Sequence, residues 1–444
     1  MSSHTAATRR PIAVAGAGYV GVTTAVGFAS LGYRVELVEN DPLRLETMRG
    51  GRLPFREPGV EDAFKAALDA RGLVLLDRSA DTTAEVVLVC VGTPIDDDGH
   101  ADTRAVVDVL SELDGRAGRP IVVVRSTLPV GTCEGLRASG AIADPSRFFV
   151  VPEFLRQGSA LTDFDRPTRV VIGRGPSVDP EAETVVVELF AGFNAPTLLV
   201  SLEEAELIKN GANAFLALKI SFANEIANLA ERSGADAGPV LEGIGLDPRI
   251  GPAMFRPGFG FGGSCLPKEL QTIAISGRER GLPMHVTLSA AEANRAHQRQ
   301  FAERIDRVVG GVAGRTIGLL GLSFKAGTDD IRSSPAVELA RWLVAHGATV
   351  QAYDPAASAN AVRAVPELAI RDSALEALAG ADAAVIATEW PEFAHLDWVS
   401  ARAVMAGPVV LDGRRLLDPA SMSDLGFRYA RVGTPEREPV ASLP

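Results

Sequence analysis

Apolar and polar residues alternate along this chain in two stretches of the same rhythm, separated by a long segment of helical period. The first stretch opens "PIAVAGAGYVGVTTAVGFASLGYRVELVEND" (11–41), which reads strand, glycine turn, helix, strand. Further strands are expected at "EVVLVCVGTP" and "PIVVVRSTLPVGT", short apolar runs that end in small or hydroxyl residues. A doubly wound sheet places its ligands outside the carboxyl ends of such strands. "SLEEAELIKNGANAFLALKISFANEIANLAERSG" (201–234) has helical period, few breakers and enough length to join two domains. The strand–loop–helix–strand pattern restarts in "GRTIGLLGLSFKAGTDDIRSSPAVELARWLVAHGATVQAYDP", and "ADAAVIATEW" and "PVVLDGR" supply later strands. The expected fold is α/β, with two Rossmann-like doubly wound domains joined by a long central helix. The expected division is a disordered tail over 1–10, a dinucleotide-binding domain over 11–200, a central helical domain over 201–300 and a second α/β domain over 313–444.

Composition narrows the function classes. A chain of 444 residues exceeds what one core holds, and 46% apolar content with 44 glycines and 28 prolines suits a well-packed α/β protein with many turns. A net charge of −12 argues against a nucleic-acid or anionic-membrane surface as the main function. The uncharged run from Pro11 to Tyr33 behind Arg9 and Arg10 could pass for a twin-arginine signal or a membrane span. Its glycines at 16, 18, 21, 27 and 32, and the strand pattern that follows directly, speak against both. Cys90, Cys133 and Cys265 are an odd number without CxxC spacing, and the six histidines form no HxxxH pair, so neither a disulfide framework nor a metal site is expected. A reducing, cytoplasmic location follows.

Gly16-x-Gly18-x-x-Gly21 opens the first strand–helix unit and marks a dinucleotide site: one glycine for the tight turn, one for close approach of a pyrophosphate, one for close helix–strand packing. Glu39 ends the next strand, where it can accept from both ribose hydroxyls and repel a 2′-phosphate, so NAD is favoured over NADP. Lys209 and Asn213 stand at i and i+4 on the long helix, so they share a face and can converge on one oxygen. Cys90 reads as a core residue, and Cys133 has no visible nucleophile context. In "GFGFGGSCLPKEL" (258–270), glycines and a serine surround Cys265 with almost no side-chain bulk, leaving room for a substrate to reach the sulfur. That makes Cys265 the nucleophile candidate. The second α/β domain lacks GxGxxG, so Lys325 and arginines there are expected to bind something phosphate-bearing.

With these residues in hand, the chain resembles the UDP-glucose/GDP-mannose dehydrogenases from about residue 11 to 430. The resemblance rests on "GAGYVG", "EPGVED", "VGTP", "RSTLPVGT", "PEFLRQG", "AELIKNGANAFLALKISFANEI", "DPRIG", "GFGFGGSCLPKEL", "GLSFKAGTDDIRSSP", "TEWPEF" and "DGRR", in the family's order. It implies oxidation of a sugar-nucleotide C6 alcohol to a carboxylate with NAD used twice, through a thiohemiacetal and a thioester on Cys265. By position it makes Lys209 and Asn213 oxyanion donors, and Thr127 and Glu153 the groups that hold or activate water. Glu269 joins them as a catalytic candidate, and Thr93 and Arg332 join the glycines and Glu39 as cofactor contacts. Phe154, Leu155, Arg156, Gln157, Arg249, Phe259, Gly262, Lys325 and Arg414 are the implied substrate contacts. Arg249 matches a residue that reaches a neighbouring subunit, so a homodimer or higher homo-oligomer is implied.

Two positions depart from the family. Gln157 stands where a second glutamate is usual, and Glu269 where an aspartate is usual. Glutamine cannot act as a base. The substrate motifs also divide: "DPRIG", "TEWPEF" and "DGRR" resemble UDP-glucose enzymes, whereas "RPGFGFGGSCLPK" and "LLGLSFKAGTDD" resemble GDP-mannose enzymes. UDP-glucose is favoured because of Arg249 and Arg414. The competing expectations are a GDP-mannose dehydrogenase and a catalytically reduced sugar-nucleotide binder.

Overall fold

The computed structural model describes residues 10–96, 99–116 and 118–435. The tail expected over 1–10 therefore lies, apart from Arg10, outside the described residues. Contacts divide the chain into two compact units: residues up to Ala212 with Ile275–Gly281, and Asn213–Ala274 with Leu282 onward.

In the first unit the strands are β1 (Ile12–Ala15), β2 (Val35–Val38), β3 (Leu73–Leu76), β4 (Val86–Val89), β5 (Ile121–Val124), β6 (Phe148–Val150), β7 (Val170–Arg174) and β8 (Thr197–Ser201). They form one sheet in the order β3-β2-β1-β4-β5-β6-β7-β8. All neighbours are parallel except β6 and β7. All residues of β1, β2, β4 and β5 are buried, because helices cover both faces. Ile12, Val14, Leu88 and Val123 face the helix Tyr19–Ser30, packing with its Val22, Val26 and Phe28. Ala13, Ala15, Val87 and Val124 face the other way, onto Val106, Leu110 and Leu113 of the helix Arg104–Asp114. Phe28 is enclosed edge-on by Tyr33, Phe164, Phe190 and Phe193, each aromatic pair adding about 0.5–1.5 kcal/mol beyond area burial.

In the second unit β9 (Thr316–Leu320), β10 (Thr349–Tyr353), β11 (Ala369–Ile370), β12 (Ala383–Ile386), β13 (Val409–Asp412) and β14 (Arg428–Arg431) form an all-parallel sheet in the order β11-β10-β9-β12-β13-β14. Counted within each unit, this repeats the order of the first six strands of the other sheet, the doubly wound arrangement that places ligands outside the carboxyl ends of its strands. The 31-residue helix Leu202–Arg232 runs from the first unit into the second, and the helix His285–Val309 leads to β9. The fold is thus two Rossmann-like sheets joined by a long central helix. Among the described residues no helix is long and apolar enough to cross a membrane, and no His/Cys/Asp/Glu cluster could hold a metal ion.

Candidate active site

Each glycine of the first turn has a measurable reason to be glycine. Gly16 has φ +97°, and a Cβ on it would fall 2.9 Å from the Val91 backbone. On Gly21 a Cβ would lie 1.8 Å from the Gly16 carbonyl oxygen, so the helix could not close onto the turn. On Gly18 it would meet no protein atom within 4 Å, which leaves that side open for a pyrophosphate at the helix N-terminus. Glu39 directly follows β2 with 6% exposure, and Arg44 lies beside it at 3.3 Å while donating to the Ala17 carbonyl. This cradle fits a dinucleotide.

The loops beyond β4, β5 and β6 carry the next group. Thr93 is buried and donates to the Thr127 carbonyl at 2.8 Å; Thr127 itself is half-buried. Lys209 donates to the Glu153 carbonyl at 2.8 Å and stands 3.2 Å from its carboxylate, both side chains being buried. The other Glu153 oxygen accepts from the Leu155 N–H, which fixes the carboxylate in place. The Phe154 ring lies under Arg169 at 3.7 Å and near Lys209 at 5.4 Å. Leu155 and Gln157 are half-buried, and Arg156 forks onto Asp163 at the surface. Asn213 is half-buried one turn beyond Lys209.

Cys265 is exposed and belongs to the second unit, directly ahead of the 14-residue helix Leu266–Glu279, whose first turn it joins by accepting from the Glu269 N–H at 2.8 Å. A helix N-terminus favours a thiolate. The glycine loop behind it is stitched down residue by residue. Asn294 grips Phe261 through both its N–H and its carbonyl, and His297 donates to the Gly258 carbonyl at 2.7 Å. Burial pushes the His297 imidazole down to about 4, so it stays neutral and its Nε2 carries the proton. Gly262 packs so closely that a Cβ would lie 2.0 Å from the Ser333 carbonyl oxygen, and Gly263 donates to the Arg332 carbonyl at 2.9 Å. The Arg332 guanidinium is held above its ordinary range first by its Asp330 partner and less strongly by the Cys265 sulfur nearby. Glu269 is buried beside this loop, and Lys325 lies over the Phe324 ring at 5.6 Å.

Arg414 stacks over buried Phe259 at 4.9 Å and donates to the Gly260 and Ala387 carbonyls. Arg249 is exposed and forks onto Asp247, the same D-x-R clip that Asp330 makes on Arg332. At the end of β10, Asp354 occupies the place that Glu39 has after β2, but its carboxylate is filled by Leu322 N–H, Ser323 N–H and the Trp390 indole. The Asp354 carboxylate is therefore not open to a ribose.

Several residues that shape the site have no role in the sequence reading. Glu57 of "EPGVED" accepts from the Gly158 and Ala160 N–H groups and so anchors the segment after Gln157. Its motif was visible, but its partners are about a hundred positions away. Glu206, Asn210, Asn294 and His297 carry no local signal beyond being polar on helices of otherwise apolar face.

A glycine-turn sheet with an acidic residue after its second strand, a second sheet of the same order, and an exposed cysteine on a glycine loop at a helix N-terminus define a nicotinamide-dinucleotide oxidoreductase with a second nucleotide-binding fold. The family models bear this out: the UDP-glucose/GDP-mannose dehydrogenase NAD binding domain matches residues 10–194, the central domain 203–296 and the UDP binding domain 318–419. The chain belongs to the UDP-glucose/GDP-mannose dehydrogenase family. It is 40% identical to a UDP-glucose 6-dehydrogenase of Pseudomonas aeruginosa, over 96% of this chain and 97% of that one. It is 37% identical to the UDP-glucose 6-dehydrogenase TuaD of Bacillus subtilis, over 96% and 94%. Among solved structures, a UDP-glucose dehydrogenase from Pyrobaculum islandicum superposes with a TM-score of 0.85 at 39% identity, covering 92% of this chain and 94% of that one. The protein is an NAD-dependent enzyme that oxidises a sugar nucleotide.

Proposed function

We propose that the substrate is UDP-glucose and the product UDP-glucuronate, formed through covalent capture on Cys265. The observation that carries this reading is an exposed cysteine at a helix N-terminus, on a glycine loop pinned by Asn294, His297 and the Arg332 backbone. NAD, when bound, supplies the hydride acceptor for each of the two oxidations. Loss of the first hydride from C6, with the hydroxyl proton passing to the water held by Thr127 and Glu153, gives the aldehyde, while Lys209 and Asn213 donate to the C6 oxygen and stabilise the charge that develops there. The Cys265 thiolate adds to the C6 aldehyde to give a thiohemiacetal, whose oxyanion those donors hold. Loss of the second hydride from C6 leaves a thioester. A water held by Thr127 and Glu153 attacks it, giving up a proton to the Glu153 carboxylate as the Cys265 thiolate leaves and the C6 carboxylate forms. Glu269, buried on the cysteine helix, supports this half of the reaction, while Gln157 contributes no base there.

Gly16, Gly18, Gly21, Glu39, Thr93 and Arg332 hold the cofactor. The residues Phe154, Leu155, Arg156, Gln157, Phe259, Gly262, Lys325 and Arg414 line the sugar-nucleotide side. The two UDP-glucose enzymes at 40% and 37% identity support glucose over mannose. A division into 11–200, 201–300 and 313–444 accords with the ranges of the three family models. Arg249 is assigned to a neighbouring subunit's site, and a homodimer is supported by Phe215, Phe222 and Leu229, exposed at seven-residue spacing on the central helix. The enzyme is assigned to the cytoplasm.

Absorbance of NADH across a panel of sugar nucleotides tests the substrate, with UDP-glucose expected to react and GDP-mannose not. Cys265→Ala is expected to abolish carboxylate formation; wild-type turnover in that variant would make the cysteine structural.

A further inference from the structure

A buried cluster in the first unit is used by none of the roles above. Glu206 is 2% exposed and Asn210 fully buried, on the central helix either side of Lys209 in sequence. The Glu206 carboxylate accepts from the Gly131 N–H at 2.5 Å and the Cys133 N–H at 2.8 Å. Asn210 Nδ2 donates to the Leu128 carbonyl at 2.8 Å and to the Glu206 carbonyl at 2.9 Å. The three loop groups, Leu128, Gly131 and Cys133, all belong to "STLPVGTC" (126–133), the segment that carries Thr127. Its other side is tied to the cofactor loop, where Thr93 donates to the Thr127 carbonyl at 2.8 Å and Ser126 to the Val91 carbonyl at 2.7 Å. Arg280 Nη2 adds a bond to the Val130 carbonyl at 2.7 Å.

A buried carboxyl is a costly way to fill space. Burial pushes Glu206 up to about 7, and Glu203 on the same helix adds repulsion, while the N–H groups of Cys133 and Gly131 pull it back. An apolar side chain of similar volume would pack there without that cost. What it could not do is hold two N–H groups of one loop at once. Glu206 and Asn210 are i and i+4 on a helix whose next face carries Lys209, and Lys209 is bonded to Glu153. One rigid helix thus grips the Thr127 loop and the Glu153 carboxylate.

We propose that Glu206, together with Asn210, is a positioning residue that sets the Thr127 loop against the Lys209–Glu153 pair and thereby the efficiency of water attack. The proposal rests on the reading of Thr127 as a water-holding group. It is tested by a cycle of Glu206→Gln and Thr127→Ala. Glutamine keeps the shape but turns one acceptor oxygen into an NH2 that faces a donor. Glu206→Gln is expected to lower kcat about tenfold or more while calorimetric Kd values for UDP-glucose and NAD stay within about twofold. In the Thr127→Ala background the same substitution is expected to cost less than about twofold, because it acts through the group already removed. Equal losses in both backgrounds would overturn the positioning role alone. Wild-type kcat in Thr127→Ala would instead sink the reading of Thr127, and the proposal with it. If Glu206→Gln does not fold, Asn210→Ala, which removes the bond to Leu128, enters the same cycle with the same expectations.

Discussion

Lys209 holds a positive charge 3.2 Å from the Glu153 carboxylate where both side chains are nearly sealed from water. A surface pair of that length is worth about 0–1 kcal/mol, but removing one member of a buried pair costs about 3–5 kcal/mol, because the remaining charge is stranded. The same ammonium is assigned to the C6 oxyanion, where loss of a donor costs about 10²–10³ in kcat. Lys209→Ala is therefore expected to lower both thermal stability and kcat, with a smaller change in KM, measured by melting curves and initial rates. A rise in KM alone would make Lys209 a binding residue. Glu39 illustrates how far a single residue can be read in advance: strand-end position and charge suffice to place it, whereas its neighbour Arg44 became visible only in three dimensions.

The glycine turn and the cysteine loop are each built by close backbone contact, and the contacts differ in kind. Gly18→Ala adds a methyl group to open space, so it is expected to fold as the parent does and bind NAD more weakly. Gly21→Ala drives a methyl group into the Gly16 carbonyl, so it is expected to lose stability as well as NAD affinity. Differential scanning calorimetry with and without NAD separates the two. The helix His285–Val309 is coupled to the cysteine loop through neutral His297, whose pKa is lowered by burial from 6.5 to about 4. Between those values the unfolded chain binds the proton that the folded chain refuses, so stability falls as pH drops from about 6.5 towards 4, by up to about 3 kcal/mol. His297→Asn is expected to flatten that part of the curve in denaturant titrations. An unchanged pH slope would show that His297 is not its source.

At the scale of the molecule, two sheets of equivalent strand order differ in how the carboxylates after their second strands are engaged. Glu39 accepts from the Asp41 N–H and pairs with Arg44, whereas Asp354 is taken up by the Leu322 and Ser323 N–H groups and the Trp390 indole. The central helix carries Phe215, Phe222 and Leu229 exposed at a seven-residue period, a stripe that a second copy of the chain can cover. Phe222→Asp tests the proposed homodimer: light scattering at micromolar concentration is expected to show a dimer for the parent and a shift towards monomer for the variant. It should lower activity as well, since Arg249 is assigned to the neighbouring subunit's site. A dimer that persists unchanged would remove the stripe from the interface.

Local chemistry determined a great deal of this protein before any coordinates. Strand runs such as "IAVA" and "VVLV" are buried on both faces, so hydrophobicity alone marks them. Gly16 and Gly21 are required by the turn they make and Gly18 by the space it leaves for a ligand, while Cys265 is marked by the lack of side chains around it. These signals are legible because each depends on residues within one turn of chain. Tertiary structure alone decided the rest: that Glu57 anchors residues 101 and 103 positions away, that Glu206 holds a loop 75 positions distant, and that Lys209 meets Glu153 across 56 positions. A buried carboxylate or ammonium is stable only where folding brings its partner, and no periodicity along the chain records which partner that will be.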